Sequence, residues 1–197
     1  MKKRTEKERR FAKMREESTK AIRRAGMQLF ARKGYGNTSM EEIAREAGIS
    51  KGLIYNYFRS KQQLLEELIK EGISVLHHLE CKVYESGLPA NEMLKHLLEE
   101  IFRAAKEQSD YWKLYTLLLL KSEQFPNIQQ RVLEFMEQSF QRMEQLFRSL
   151  GASKPKLEAQ FFAASLDGVL MHYLFAPQHY PLEKMKEHLI TRFSQQH

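Results

Sequence analysis

Two helix-start signals with a glycine between them set the tightest limit on what this chain folds into. The stretch TSMEEIAREAGISKGLIYNYFRSK, Thr38 to Lys61, opens with two candidate caps. Both Thr38–Glu41 and Ser39–Glu42 have capping-box spacing, in which a hydroxyl and a carboxylate each take up a free backbone N–H. Met40, Ile43, Ala44 and Ala47 then define one apolar face at helical spacing. Gly48 stands where the chain must turn, and glycine enters the left-handed region without steric cost. Ile49 fills the angle, and Ser50 is a good cap for a second helix over Lys51 to Phe58. On it Ile54 and Phe58 face inward, leaving Lys51, Gly52, Tyr55 and Asn56 on the outer face. A short helix with a basic, small and aromatic outer face suits the DNA major groove.

Charge is distributed to match. Residues 1–60 carry 16 Lys/Arg against 7 Asp/Glu, a balance of +9, and residues 61–197 carry 16 against 18, a balance of −2, together the net +7. The positive end therefore carries the groove-sized helix, which suggests a polyanion partner for that end alone.

At these residues the chain resembles the helix-turn-helix of TetR/AcrR-type transcriptional regulators. The likeness is carried by Thr38, Ile43-Ala44, Ala47-Gly48, Ser50, Gly52, Tyr55, Tyr57-Phe58, Ser60-Lys61 and Leu64, within residues 16 to 66. It implies an all-α fold with an N-terminal helix-turn-helix three-helix bundle and a C-terminal helical ligand-binding and dimerisation domain. The division is a basic arm over 1–15, a DNA-binding domain over 16–65 and an effector-binding and dimerisation domain over 66–197. Carried over residue by residue, the resemblance makes Thr38 and Ser39 phosphate contacts and Lys51, Gly52 and Tyr55 groove readers. Tyr57 and Lys61 become phosphate anchors. Ser50 and Asn56 complete the predicted DNA-binding set.

The rest reads as about nine helices with no strand pattern. Residues 1–15 are a mobile basic arm that follows phosphates or a minor groove, a frayed extension of helix one, or a solubilising tail. Helix one runs from Glu16 to Lys33, its inward stripe marked by Ile22, Ala25, Leu29 and Phe30, with Gly34 as its stop. Ser60 and Gln63 open a long fourth helix that joins two domains. Gly72 within it marks a bend, a close helix approach or a tolerated weak point. Pro89, Ser109 or Asp110, Pro126, Lys156 and Leu182 open five more. The eighth helix, to Phe175, is apolar nearly all round and must be buried on more than one side.

The second domain holds most of the aromatics. Phe102, Trp112, Tyr115, Leu119, Phe125, Phe135, Phe161, Phe162, His172 and Tyr173 are candidates for a ligand pocket, although residues of this kind are more often core than ligand contacts. Gln160, Glu99 and Gln138 are further polar handles. The family resemblance implies such a pocket among helices five to eight. Helices eight and nine carry more apolar surface than one small domain buries, which suggests a two-fold homodimer through them. Ala164 and Gly168 would permit close helix approach there, and equally fit packing inside the subunit.

Other function classes find little support. Cys81 is the single cysteine, which excludes a disulfide framework and a cysteine-rich zinc site and fits a reducing cytoplasm. The basic N-terminus lacks the following apolar stretch of a signal peptide, and no apolar run is long enough for a membrane span. His77 and His78 near Glu80 and Cys81 point about 100° apart on a helix and do not converge on one ion. No HExxH, CxxC, Walker loop or GxSxG occurs, so neither an enzyme nor a cofactor or metal is expected. The expectation is a sequence-specific DNA-binding transcriptional regulator on a palindromic double-stranded operator, a repressor released by a small apolar or amphipathic effector. The alternative is a DNA-bound adaptor whose second domain binds a protein partner.

Overall fold

The computed structural model describes residues 6–120 and 125–194, the side chains of 115 and 117–120 excepted. Among the described residues the fold is all-helical, with nine helices. They are α1 (Glu6–Lys33), α2 (Met40–Glu46), α3 (Lys51–Ile54), α4 (Lys61–Tyr84), α5 (Ala90–Glu107), α6 (Ser109–Leu120), α7 (Pro126–Ser149), α8 (Pro155–Phe175) and α9 (Leu182–Ser194). No helix among them is long and apolar enough to cross a membrane. The chain divides into two compact units, Met1–Lys70 and Glu71–His197, with α4 running through the division.

In the first unit Ile22, Leu29, Phe30, Ile43, Ile54, Phe58, Leu64 and Leu65 form the core, each almost fully buried. Gly26 lets α4 come close: a Cβ there would lie 2.8 Å from the Leu64 side chain. Helix α1 is longer than its apolar stripe. Residues 6–15 are helical although exposed, and continue α1 ahead of its apolar stripe. Acidic residues in the first turn suit the positive end of the helix dipole, and Lys20–Glu16 adds an ion pair one turn apart.

In the second unit α7 packs on α8, α5 on α9, and α6 and α9 also touch α8. The rings of Phe147, Phe162 and Phe193, fully buried, meet edge to face at 5.1 to 5.8 Å and knit α7, α8 and α9 together. Lys106 of α5 pairs with Glu183 of α9 on the outside. Gly72 marks a close approach: the ring of Tyr111, at the start of α6, lies where a Cβ would be.

Candidate nucleic-acid interface and effector cavity

In the first unit the cap of α2 is Ser39. Its hydroxyl accepts from the Glu42 N–H at 3.2 Å, and the Glu42 carboxylate accepts from the Ser39 N–H at 2.9 Å. The Lys33 ammonium, 2.7 Å from Glu42, and these Ser39 bonds hold the carboxyl down to about 2. Thr38 is a correction to the phosphate role expected of its hydroxyl. It is 2% exposed, and that hydroxyl donates inward to the Gly34 carbonyl at 2.9 Å. Gly48 has φ +70, as the turn requires, and Ile49 N–H donates to the Ala44 carbonyl at 2.9 Å.

Ser50 caps α3, accepting from the Leu53 N–H at 3.3 Å. The regular helix ends at Ile54, four residues short of the expected Phe58. The physical reason is local bonding: Asn56 N–H turns back to the Leu53 carbonyl, and the Tyr57 and Phe58 N–H groups share that of Ile54. Ile54 and Phe58 are buried nonetheless, and Lys51, Gly52, Tyr55 and Asn56 are exposed together. Leu53, 38% exposed beside them, was not singled out from sequence, although it stands off the inward stripe.

The Lys51 ammonium lies 2.8 Å from Glu41, and each holds the other in its charged form. Both side chains are well exposed, so the pair contributes little to stability and opens readily when another anion arrives. Tyr57 is half-buried under the Arg15 guanidinium, 5.5 Å from the ring centre. Lys61, expected as a phosphate anchor, is half-buried. Its ammonium donates to the carbonyls of Tyr35 and Thr38, each at 2.7 Å, and sits over the Tyr35 ring, so it clamps the α1–α2 loop.

In the second unit a cavity of about 110 Å³ lies among α4, α5, α6, α7 and α8. Its apolar wall includes Leu76, Ile101, Trp112, Phe135, Phe140, Met143 and Leu170, and its polar groups are Glu80, Ser139 and Asp167. Glu80 is well satisfied. It accepts from the Ser139 hydroxyl at 2.8 Å and from the Arg142 guanidinium at 2.6 Å. Burial, and then the Glu80 charge, push the Tyr84 phenol up. Asp167 keeps one side in solvent, yet burial of its carboxyl raises its pKa above the ordinary value. A larger hollow of about 530 Å³ between α4 and α5 is edged by long polar side chains, among them Lys82 and Arg103.

Of the predicted pocket residues, Trp112 and Phe135 line the cavity. Tyr115 and Leu119 lie outside the described side chains. The others are elsewhere. Phe102 is buried core, and Phe162 belongs to the aromatic cluster. Phe125 precedes α7 as its cap residue. Phe161 is exposed and packs on Phe193, and His172 stacks on Tyr180. Tyr173 is off the cavity wall, as are Gln160, Glu99 and Gln138. The residues missed, Glu80 and Ser139, had a signal: each is polar at an inward position of an apolar helix face.

The outer side of α8 carries Leu157, Phe161, Ala164, Gly168, Met171 and Phe175, at alternating steps of four and three. Four of these are large and exposed, Phe175 by 87%. The exposed side of α9 is polar, with Glu183, Lys184, Glu187, His188 and Arg192. The unburied apolar surface expected of both helices is thus concentrated on α8.

Residues 22–68 match the profile of the bacterial regulatory proteins of the tetR family, and residues 90–195, more than half the chain, match that of the BetI-type transcriptional repressor C-terminal region. The chain is 25% identical over 181 residues to the HTH-type transcriptional regulator AcrR of Shigella flexneri, covering 86% of this chain and 84% of AcrR. A Saccharomonospora viridis protein crystallised with choline shares the fold at a TM-score of 0.77 and 22% identity, over 88% of this chain and 94% of that one. The transcriptional regulator FadR of Bacillus subtilis, in complex with stearoyl-CoA, does so at 0.72 and 19%, over 89% and 97%.

Proposed function

The chain belongs to the TetR/AcrR family of transcriptional regulators, and we propose that it is a repressor that holds a palindromic operator as a two-fold dimer and releases it when a small apolar or amphipathic ligand enters the cavity. Lys51, Gly52, Tyr55 and Asn56 form the reading surface. Lys51 donates to guanine acceptors, Gly52 admits close approach, and Tyr55 packs on a thymine methyl or bonds a phosphate. Ser39, Ser50 and Tyr57 fix register on the backbone, which positions the protein without specifying sequence. Thr38 and Lys61 act one step back, by holding the loop that sets α2 in place.

One observation carries this reading. The outward residues of α3 are exposed together while Ile54 and Phe58 of the same segment are buried, so the segment is anchored by one side and open on the other.

The cavity supports an effector. It is lined by apolar and aromatic side chains with a few fixed polar groups, the composition of small-molecule sites. The choline and stearoyl-CoA held by proteins of this fold support a ligand-responsive regulator. The effector works by binding one arrangement of α4 better than another, since a ligand shifts an equilibrium only by its differential affinity. Both reading heads dock only when their half-sites are about one DNA turn apart, or a multiple, so a small tilt of α4 loosens the grip.

Selection of bound sites from random duplex DNA tests the proposal. The expected result is an inverted repeat with half-sites spaced by whole turns, and release of the selected duplex by a cavity ligand. A purified dimer that binds no oligonucleotide at low salt would overturn it.

A further inference from the structure

Glu41 of α2 and Lys51 of α3 are both well exposed, and their polar ends meet at 2.8 Å. The outer face of α3 therefore begins with a couple, an ammonium beside a carboxylate. Their bond occupies one of the three Nζ protons and one of the roughly four lone-pair positions of the carboxylate. Both partners keep bonding capacity, side by side. A carboxylate near a duplex is repelled by phosphates whatever the sequence, and the donors a major groove offers it are the amino groups of cytosine and adenine. Each base-pair edge carries a couple of the same size. The keto oxygen of guanine or thymine lies about 2.9–3.0 Å from the amino nitrogen of its partner base. Facing one another, the two couples close a ring in which donors and acceptors alternate.

We propose that Glu41 is a specificity-determining residue that, with Lys51, reads the polarity of one base pair in each half-site, keto group toward Lys51 and amino group toward Glu41. This rests on Lys51 being a groove reader. Lys51 donates to the keto oxygen while keeping Glu41, because a neutral base edge, unlike a phosphate, does not compete for the whole ammonium. Glu41 accepts from the amino group. With guanine on the Lys51 side, N7 supplies a second acceptor, so G·C fits best. With thymine there, T·A keeps the ring of bonds without that addition. A·T offers Lys51 the adenine N7 but turns the thymine keto oxygen against Glu41. C·G sets an amino group against the ammonium and a keto oxygen against the carboxylate, so it fits worst.

Selection from random duplex DNA with the wild-type full chain and with Lys51→Ala locates the base pair that Lys51 reads. Binding titrations then compare the four possible pairs at that position. Wild-type protein should rank G·C first and T·A above A·T, with C·G weakest by about tenfold or more. Glu41→Gln replaces the carboxylate by an amide, which both donates and accepts. It should narrow the gap between G·C and C·G at that position and leave preferences elsewhere in the site unchanged. Loss of a negative charge by itself raises affinity for every sequence alike, so an equal gain on all four pairs would overturn the inference. A·T ranked above T·A would also overturn it, since Lys51 would then read purine N7 without Glu41. If Lys51→Ala alters no base preference, the reading role of Lys51 falls and the inference with it, while operator binding stands. Should Glu41→Gln not fold, the wild-type ranking decides.

Discussion

Lys61 Nζ lies 2.7 Å from the Thr38 carbonyl oxygen, so the first residue of α4 closes the loop that leads into α2. The same ammonium reaches the Tyr35 carbonyl at 2.7 Å and the face of the Tyr35 ring at 4.4 Å. A part-buried charged donor satisfied in this way stabilises by about 1.5–3 kcal/mol. Lys61→Met keeps the stem and removes the charge. It should lower the unfolding free energy by about 2 kcal/mol in urea titrations and weaken DNA binding through misplacement of α2. The salt dependence of DNA binding separates this from a direct phosphate contact. It should keep its slope, whereas loss of a phosphate contact would reduce the slope by about 0.9.

Acid should loosen the start of α2. The Glu42 carboxyl is held at about 2 by Lys33 and by the Ser39 N–H and hydroxyl. A carboxyl depressed in the folded state adds stability that is fully present above its unfolded pKa and is lost as pH falls through its folded value. The contribution is therefore complete at neutral pH and disappears between the ordinary glutamate range and about pH 2. Hydrogen exchange at the Ser39 amide, corrected for its intrinsic pH dependence, should lose protection across that window. Glu42→Gln keeps a carbonyl for the Ser39 N–H and should flatten the response. Unchanged Ser39 protection down to pH 2 in the wild-type protein would show that the cap does not depend on this charge.

Particular residues show what was legible beforehand. Ser39, Gly48 and Ser50 announced the helix-turn-helix because their roles depend on residue type within a few positions of chain: a hydroxyl for an open N–H, a missing Cβ for φ +70. The early end of α3 was not legible. It depends on two N–H groups choosing the Ile54 carbonyl, and no residue type dictates that choice. Residues 6–15 show no inward stripe, so periodicity had nothing to report; they are helical because they continue a helix already started. The cavity was located poorly because aromatic content was the guide. Phe162 is large and buried, and it fills space with Phe147 and Phe193 instead of enclosing it. A better guide was the polar residue on an apolar face, as with Glu80 and Ser139.

Gly72 was open to three readings, and its environment decides among them. A Cβ at that position would lie 1.8 Å from Cε2 of Tyr111 and 1.9 Å from its hydroxyl oxygen. Alanine in place of glycine gains about 1 kcal/mol of helix propensity, but displacing a packed ring costs about 1–3 kcal/mol. Gly72→Ala should therefore lower the thermal midpoint. Tyr111→Ala, which removes the ring, should also destabilise, while the double variant should recover part of the sum. A double-mutant cycle on these four proteins should give a coupling of about 0.5–3 kcal/mol. Simple additivity would mean that α6 does not press on α4 at this point.

The stripe on α8 makes the last prediction. Leu157, Phe161, Ala164, Gly168, Met171 and Phe175 repeat at the step of a coiled-coil seam, with its two small members in the middle. Within one subunit nothing lies within 4 Å of a Cβ built at Gly168. Gly168→Leu thus fits the isolated fold and gains about 0.8–1 kcal/mol of helix propensity. Across a two-fold contact it places a branched side chain where two helices approach most closely. Light scattering should find the variant monomeric, and circular dichroism should find its helix content intact. Losing the second reading head removes the gain from simultaneous engagement, so operator affinity should fall by about a hundredfold or more. Leu157→Glu, at the end of the stripe, should act in the same direction but more weakly, because a charge there can still reach water. A Gly168→Leu protein that remains a dimer and keeps its operator affinity would place the contact between subunits away from α8.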